Sequence, residues 1–213
     1  MKSKKRLLEN SRLYAIIDKK TCRKKSILDI ANKIRNQCID IVQYRDKESD
    51  KKALFKNAQD LQRILSDTKI IFIVNDYLDI AKIINSDGLH LGQNDTSIEI
   101  ARKILGKDKV IGISCHNLKQ AIVAQKRGAD YISIGPIFST PIKPEYKSVG
   151  LKLIKQIKGK VKIPVFAIGA INETNLKEVL SYGAKRVGVL RAICQSRNIP
   201  LTITRFDALL HQQ

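Results

Sequence analysis

The sequence predicts an α/β protein folded as a single (β/α)8 TIM barrel, and three observations carry that expectation. Eight short apolar runs rich in Ile and Val alternate with amphipathic segments along the chain, at a spacing of roughly 25 residues. The runs are apolar almost throughout rather than strictly alternating, as parallel strands covered by helices should be. The length, 213 residues with 43% apolar side chains, suits one core and one compact barrel. A doubly wound open sheet is the alternative. It needs fewer strands and a Gly-rich first turn, and no G-x-G-x-x-G follows Leu13–Asp18. The division expected is a basic N-terminal extension or helix over 1–12 and a barrel catalytic domain over 13–213.

Taken in order, the strand-like runs are Leu13–Asp18, Ile39–Arg45, Ile70–Asn75, Gly88–Gly92, Val110–Cys115, Tyr131–Gly135, Pro164–Gly169 and Arg186–Arg191. Between the second and third, Leu54, Ala58, Leu61 and Leu65 recur at helical spacing inside Asp50–Ser66. After the fifth, Asn117 is placed to cap a helix that Gly128 closes. Helices are expected over Val149–Ile157 and over Asn172–Tyr182, the latter ending at Gly183.

Charge and composition narrow the function classes. There are 40 Lys and Arg against 20 Asp and Glu, a formal charge of +20. A pI near 9.9 suits a nucleic-acid binder or a protein that handles polyanionic small molecules. The basic residues are spread along the chain, except that residues 1–25 hold ten of them against Glu9 and Asp18. Tyr14 is the single aromatic residue among them, where a stacking platform for bases would require several. The apolar runs are far shorter than a membrane span, and the basic start lacks the apolar stretch of a signal peptide. Cys22, Cys38, Cys115 and Cys194 stand singly, which argues for a reduced, cytoplasmic setting and against a zinc ribbon.

A barrel of this kind carries its chemistry at the carboxyl ends of the strands. Arg45 and Lys47 leave the end of the second run on one face, beside Gln43, and suit an oxyanion: a planar fork plus a point charge. Asp76 and Asp95 follow the third and fourth runs. Adjacent strands lie about 5 Å apart, so the two carboxylates are able to share one Mg²⁺ whose remaining ligands are water and phosphate oxygens. Helix capping is the alternative role for each. Asn75 adds a neutral donor and acceptor for an organic ring. The long sixth loop carries Lys143, placed to reach a phosphate, and Gly169 and Gly188 offer backbone amides where barrels commonly bind one. His90, between Leu89 and Leu91, suits an interior histidine, and His116 lies nearer the mouth without a nucleophile arranged beside it.

These residues give the chain a resemblance to the thiamine-phosphate synthase family over about Leu13 to Ile193. It rests on Gln43–Lys47, Asn75–Asp76, Asp87–Asp95, Gly112–His116, Gly135–Thr140 with Lys143, and Ala167–Ile171 in that order and spacing. The resemblance implies a Mg²⁺-dependent transferase joining 4-amino-2-methyl-5-hydroxymethylpyrimidine diphosphate to a thiazole monophosphate by a dissociative route. It implies a pyrimidine-diphosphate set of Gln43, Tyr44, Arg45, Asp46, Lys47, Asn75, Ser114 and Lys143, with Arg45, Lys47 and Lys143 stabilising the departing diphosphate. Asp76 and Asp95 would hold the magnesium, and Thr140, Pro141, Ile142, Gly169, Ala170, Leu190 and Arg191 the thiazole phosphate. Expected partners are small molecules, with no membrane, no specific nucleic acid, and homo-oligomerisation left open.

Three departures fall on the thiazole side. Ile142 stands where the family has a second Thr, Ala170 replaces the second Gly of a Gly-Gly-Ile turn, and Arg191 replaces a small Ser. The related thiazole tautomerases tend to carry His in place of Pro136 and lack the diphosphate set. A tautomerase-like or diverged barrel enzyme is therefore the second reading, and a noncatalytic anion or nucleic-acid binder the third.

Overall fold

The computed structural model describes residues 4–23, 25–140 and 147–212. Its eight strands are β1 Leu13–Asp18, β2 Ile41–Arg45, β3 Ile71–Asn75, β4 Gly88–Leu91, β5 Val110–Cys115, β6 Tyr131–Ile134, β7 Val165–Ile168 and β8 Val187–Val189. Each pairs in parallel with the next, and β8 returns to β1, so the sheet closes into the expected (β/α)8 barrel. Strand alternation sorts the side chains. Tyr14, Ile16, Ile41, Ile71, Ile73, Val110, Tyr131 and Phe166 fill the interior, and the residues between them, such as Ala15, Val42 and Phe72, meet the surrounding helices.

The helices follow local signals. Asp50 accepts the Ala53 amide and starts α4, Lys51–Leu65, whose Leu54, Ala58, Leu61 and Leu65 are buried against the barrel. Each fully buried Leu contributes about 1.5–3 kcal/mol. Asn117 likewise caps α7, Leu118–Lys126. Ser26 caps α3, Ile27–Ile34, and Ser97 caps α6, Ile98–Leu105. The remaining outer helices are α5 Leu78–Ile83, α8 Lys152–Ile157, α9 Leu176–Ser181 and α11 Ile199–His211.

Three helices lie outside the simple alternation. The first, α1 Lys4–Asn10, sends Leu8 into the interior cluster and closes the amino-terminal end of the barrel. Its Lys4 pairs with Asp87 and its Lys5 with Asp130, so two charges of the basic start are neutralised locally. The other two, α2 Lys19–Cys22 and α10 Arg191–Cys194, are single turns directly after β1 and β8. No described helix is long and apolar enough to cross a membrane.

The amino-terminal rim is pinned by a repeated device. Asp40, Asp87 and Asp130, each just before or at the start of an even-numbered strand, accept from the amides of Leu13, Phe72 and Ile111 at the start of the preceding strand. β2 starts later than the apolar run, at Ile41, after a turn in which the Ile39 amide donates to the Gln37 carbonyl at 2.8 Å. The eighth and ninth helices are also shorter than the periodicity predicts. Gly150, at φ +72°, breaks the chain before Lys152. Asn172 ties up Thr174 and Asn175 in a side-chain-capped turn before Leu176.

Candidate active site

The inward parity of the strands builds a cavity of ≈ 260 Å³ at the carboxyl-terminal mouth. On one side its wall is Gln43, Arg45 and Asn75, with Ser114 and Ser133 across from them. The Gly169–Ala170 turn, Leu190 and Arg191 complete it beside Thr140 and Pro136. These residues come from separate strands and loops of one barrel end, as the parallel topology requires.

Arg45 is held by Asp18, its partner across the β1–β2 register. Asp18 is 1% exposed, and its other oxygen accepts the Thr21 amide at 2.8 Å and the Thr21 hydroxyl at 2.6 Å. One carboxylate thus caps α2 and fixes the guanidinium fork. Lys47, at the exposed end of the same segment, pairs with Asp76.

Asp76 follows β3 at φ +63°, and neither it nor Asp95 caps a helix. Asp95 instead accepts the Gly92 amide at 2.7 Å. Burial pushes the Asp76 carboxyl up, the adjacent Asp95 carboxylate pushes it further, and Lys47 opposes both. Two crowded carboxylates served by one lysine form an all-oxygen donor pair suited to a hard divalent cation such as Mg²⁺. Among the described residues no group of three His, Cys, Asp or Glu gathers to hold a metal.

Tyr44 and Asp46 depart from the expected pyrimidine-diphosphate set. The side chain of Tyr44 points outward into the strand–helix core and donates to Asp46 at 2.7 Å. Asp46, buried itself, accepts the amides of Glu48 and Ser49. Burial opposes ionisation of Asp46, but the Tyr44 hydroxyl and these amides outweigh it and lower its carboxyl. The pair braces the loop that presents Lys47 and lies apart from the cavity wall, because residues 44 and 46 have opposite parity to Gln43 and Arg45.

On the opposite side, Gly169 and Ala170 have φ +105° and +51°. The position of the second glycine therefore still adopts the left-handed backbone, with an alanine in it. A Cβ on Gly169 would lie 2.5 Å from the Pro136 backbone, which excludes any other residue there. Arg191 opens α10 and lines the cavity beside this turn. Gly188 sits inside β8 rather than at its end, where a Cβ would meet Ile168 at 2.6 Å, so packing explains it. Pro141, Ile142 and Lys143 lie outside the described residues.

Sequence reasoning named His90 as an interior residue but missed the network around it. Gln43 Nε2 donates to the Tyr14 hydroxyl at 2.5 Å, which lies 2.9 Å from the Tyr131 hydroxyl. Tyr131 in turn meets His90 Nδ1 at 2.9 Å, and His90 Nε2 meets Ser114 Oγ at 2.9 Å. Gly112 makes room for this, since a Cβ there would fall 2.0 Å from the Tyr131 ring. The signal was parity: Tyr14, Gln43, His90, Ser114 and Tyr131 all occupy inward positions. His116, nearer the rim, turns Nδ1 to the Gly135 carbonyl at 2.6 Å.

The chain is similar to known proteins over most of its length. The sequence profile of the thiamine monophosphate synthase family matches residues 13–193. The thiamine-phosphate synthase of Methanosarcina barkeri is 37% identical over 197 residues, spanning 92% of this chain and 89% of that protein. That of Shouchella clausii is 39% identical over 189 residues, spanning 88% of this chain and 90% of that protein. The solved thiamine phosphate pyrophosphorylase from Pyrococcus furiosus superposes with a TM-score of 0.87 at 28% identity, covering 97% of this chain and 98% of its own. The chain belongs to the thiamine monophosphate synthase family.

Proposed function

We propose that this chain condenses 4-amino-2-methyl-5-hydroxymethylpyrimidine diphosphate with a thiazole monophosphate, giving thiamin phosphate and diphosphate. The observation that supports this reading best is the meeting of two anion-handling halves at one barrel mouth. Arg45, Lys47, Asp76 and Asp95 form one half, and the Gly169–Ala170 turn with Arg191 forms the other.

The pyrimidine would enter between Gln43, Asn75 and Ser114, with its diphosphate toward Arg45 and Lys47. Breaking the methylene carbon–oxygen bond sends the electron pair to the diphosphate, and the aminopyrimidine stabilises the resulting methylene cation. The thiazole nitrogen then supplies the pair for the new carbon–nitrogen bond. Arg45 and Lys47 stabilise charge that grows on the leaving group as the bond breaks. Asp18 keeps Arg45 in place for that purpose. Asp76 and Asp95 would hold Mg²⁺, which supplies Lewis-acid neutralisation of the diphosphate oxygens. The thiazole phosphate would lie against the amides of Gly169 and Ala170, with Arg191 as a charged partner. Lys143 is assigned to the diphosphate half by resemblance alone. The reaction belongs in the cytoplasm, on free small molecules, in keeping with four unpaired cysteines.

The test is metal dependence of thiamin phosphate formation from the two substrates. Chelation and Asp76→Ala should each suppress turnover, with the far-UV spectrum and melting of Asp76→Ala close to the parent's. Full activity in chelator, or in Asp76→Ala, would remove the metal assignment.

A further inference from the structure

The chain of hydrogen bonds through the barrel interior has a direction, and the direction decides what the cavity can recognise. Each member has limited capacity: a phenol carries one proton, a neutral imidazole one N–H, and an amide presents a donor and an acceptor at opposite corners. Burial pushes the phenols of Tyr14 and Tyr131 well above their ordinary values, so both keep their single proton.

Among the described residues the Tyr14 hydroxyl meets two side chains, Gln43 and Tyr131. Gln43 Nε2 donates to it, so the Tyr14 proton goes to Tyr131. Tyr131, having accepted, donates to His90 Nδ1. That leaves the imidazole proton on Nε2, directed at Ser114 Oγ. Ser133 lies 3.4 Å from both His90 Nε2 and Ser114 Oγ and donates to the latter. The Ser114 proton is then left for the cavity, and Gln43 Oε1 is left without a partner among the described residues on the other wall. Reversing any one bond reverses all of them, because no member has a second proton to give. The reversed wire would offer a donor at Gln43 and an acceptor at Ser114.

We propose that Tyr14, Tyr131 and His90 act as a positioning relay that fixes Gln43 as an acceptor and Ser114 as a donor, so that the cavity selects a ring bearing an exocyclic amine over its oxo counterpart. The inference rests on the aminopyrimidine reading of the site and deepens it. An amine donates to Gln43 Oε1, and a ring nitrogen accepts from Ser114. An oxo group would set two acceptors against each other, and a site built around a polar group rejects an analogue that cannot pair with it. None of the three relay residues need touch the reacting atoms.

Two measurements test it. The first is imidazole ¹⁵N NMR on the full chain without substrate, with His90 assigned by comparison with His90→Asn. A proton on Nε2 and an unprotonated, hydrogen-bonded Nδ1 are expected, and a proton on Nδ1 would overturn the relay whatever the enzyme's activity. The second is Tyr131→Phe, which keeps the ring and removes the link. Selectivity, as the ratio of kcat/KM for the aminopyrimidine diphosphate to that for its 4-oxo analogue, should fall at least about tenfold, with the KM for thiazole phosphate unchanged. Unchanged selectivity would refute the relay while leaving the synthase reading intact. If Tyr131→Phe does not fold, Tyr14→Phe carries the same expectation. Absence of any turnover in the parent would instead fault the synthase reading, and the NMR result would still decide the relay.

Discussion

Asp18→Asn separates two tasks that one carboxylate performs. Oδ1 of Asp18 serves the first turn of α2 through Thr21, and Oδ2 faces the Arg45 guanidinium. Asparagine keeps a carbonyl oxygen for Thr21 but replaces the charge toward Arg45 with an amide. A hydrogen bond to a charged group is worth about 1.5–3 kcal/mol. The upper part of that range applies here because the Asp18 side chain is 2% and the Arg45 side chain 15% exposed. For a chain of this length each kcal/mol moves Tm by about 2–4 °C, so a loss of about 2–3 kcal/mol gives an expected fall of about 4–12 °C. Asp18→Ala removes the cap as well and should lose about 1 kcal/mol more. In turnover, a released guanidinium would hold the leaving diphosphate less well. We expect kcat/KM for the pyrimidine diphosphate to fall about tenfold or more, the equivalent of about 1.4 kcal/mol. The KM for thiazole phosphate should stay fixed. Calorimetric melting and steady-state kinetics with each substrate varied provide the readout. Parent-like stability together with parent-like kinetics would refute the reasoning that Asp18 anchors Arg45.

Three further outcomes are expected. Arg191→Ser should raise the KM for thiazole phosphate about tenfold, the low end for a charge-assisted contact at a partly exposed site, while the pyrimidine-diphosphate KM hardly moves. A lower KM would mean that the arginine obstructs the pocket. Ala170→Gly relieves a left-handed residue at φ +51°, a strain of about 1–2 kcal/mol, against about 0.5–1 kcal/mol of added chain entropy. A small rise in Tm is therefore expected, and a fall of several degrees would show that the alanine methyl packs usefully. Asp46→Asn should destabilise the chain at pH 7. The folded carboxyl lies below its unfolded value of about 3.9, so its contribution is present above that value and lost as pH falls through the folded one. The difference from the parent should shrink in urea titrations below about pH 4, and a constant difference would remove Asp46 from the acid sensitivity.

The barrel was legible because its strands are unusually continuous apolar runs, and the first, Leu13–Asp18, has the same limits in the sequence and in the structure. The ends of later elements were less so. Gly150 redirects the chain through positive φ and Asn172 through side-chain hydrogen bonds, which hydrophobic periodicity does not register. In the site, Arg45, Asn75 and Ser114 stood out as polar residues at strand ends. Tyr44 and Asp46 lie in the same short motif, yet strand parity turns them away from the cavity. The reverse holds for Tyr14 and Tyr131, which read as core aromatics from composition and meet only across the closed barrel, 117 residues apart. The arginine that opens α10 was visible as a departure from the family pattern. That it begins a helical turn rather than ending a strand was not, since one turn of helix carries too few residues for a periodic signal.

If this mouth brings a pyrimidine diphosphate and a thiazole phosphate together, departure of diphosphate is coupled to formation of one carbon–nitrogen bond. The most direct measurement is the stoichiometry of products when the chain is incubated with both substrates and Mg²⁺. Thiamin phosphate and diphosphate should form in equal amounts, with little diphosphate when the thiazole phosphate is withheld. Diphosphate released at the same rate with or without thiazole phosphate, and no thiamin phosphate formed, would contradict that coupling.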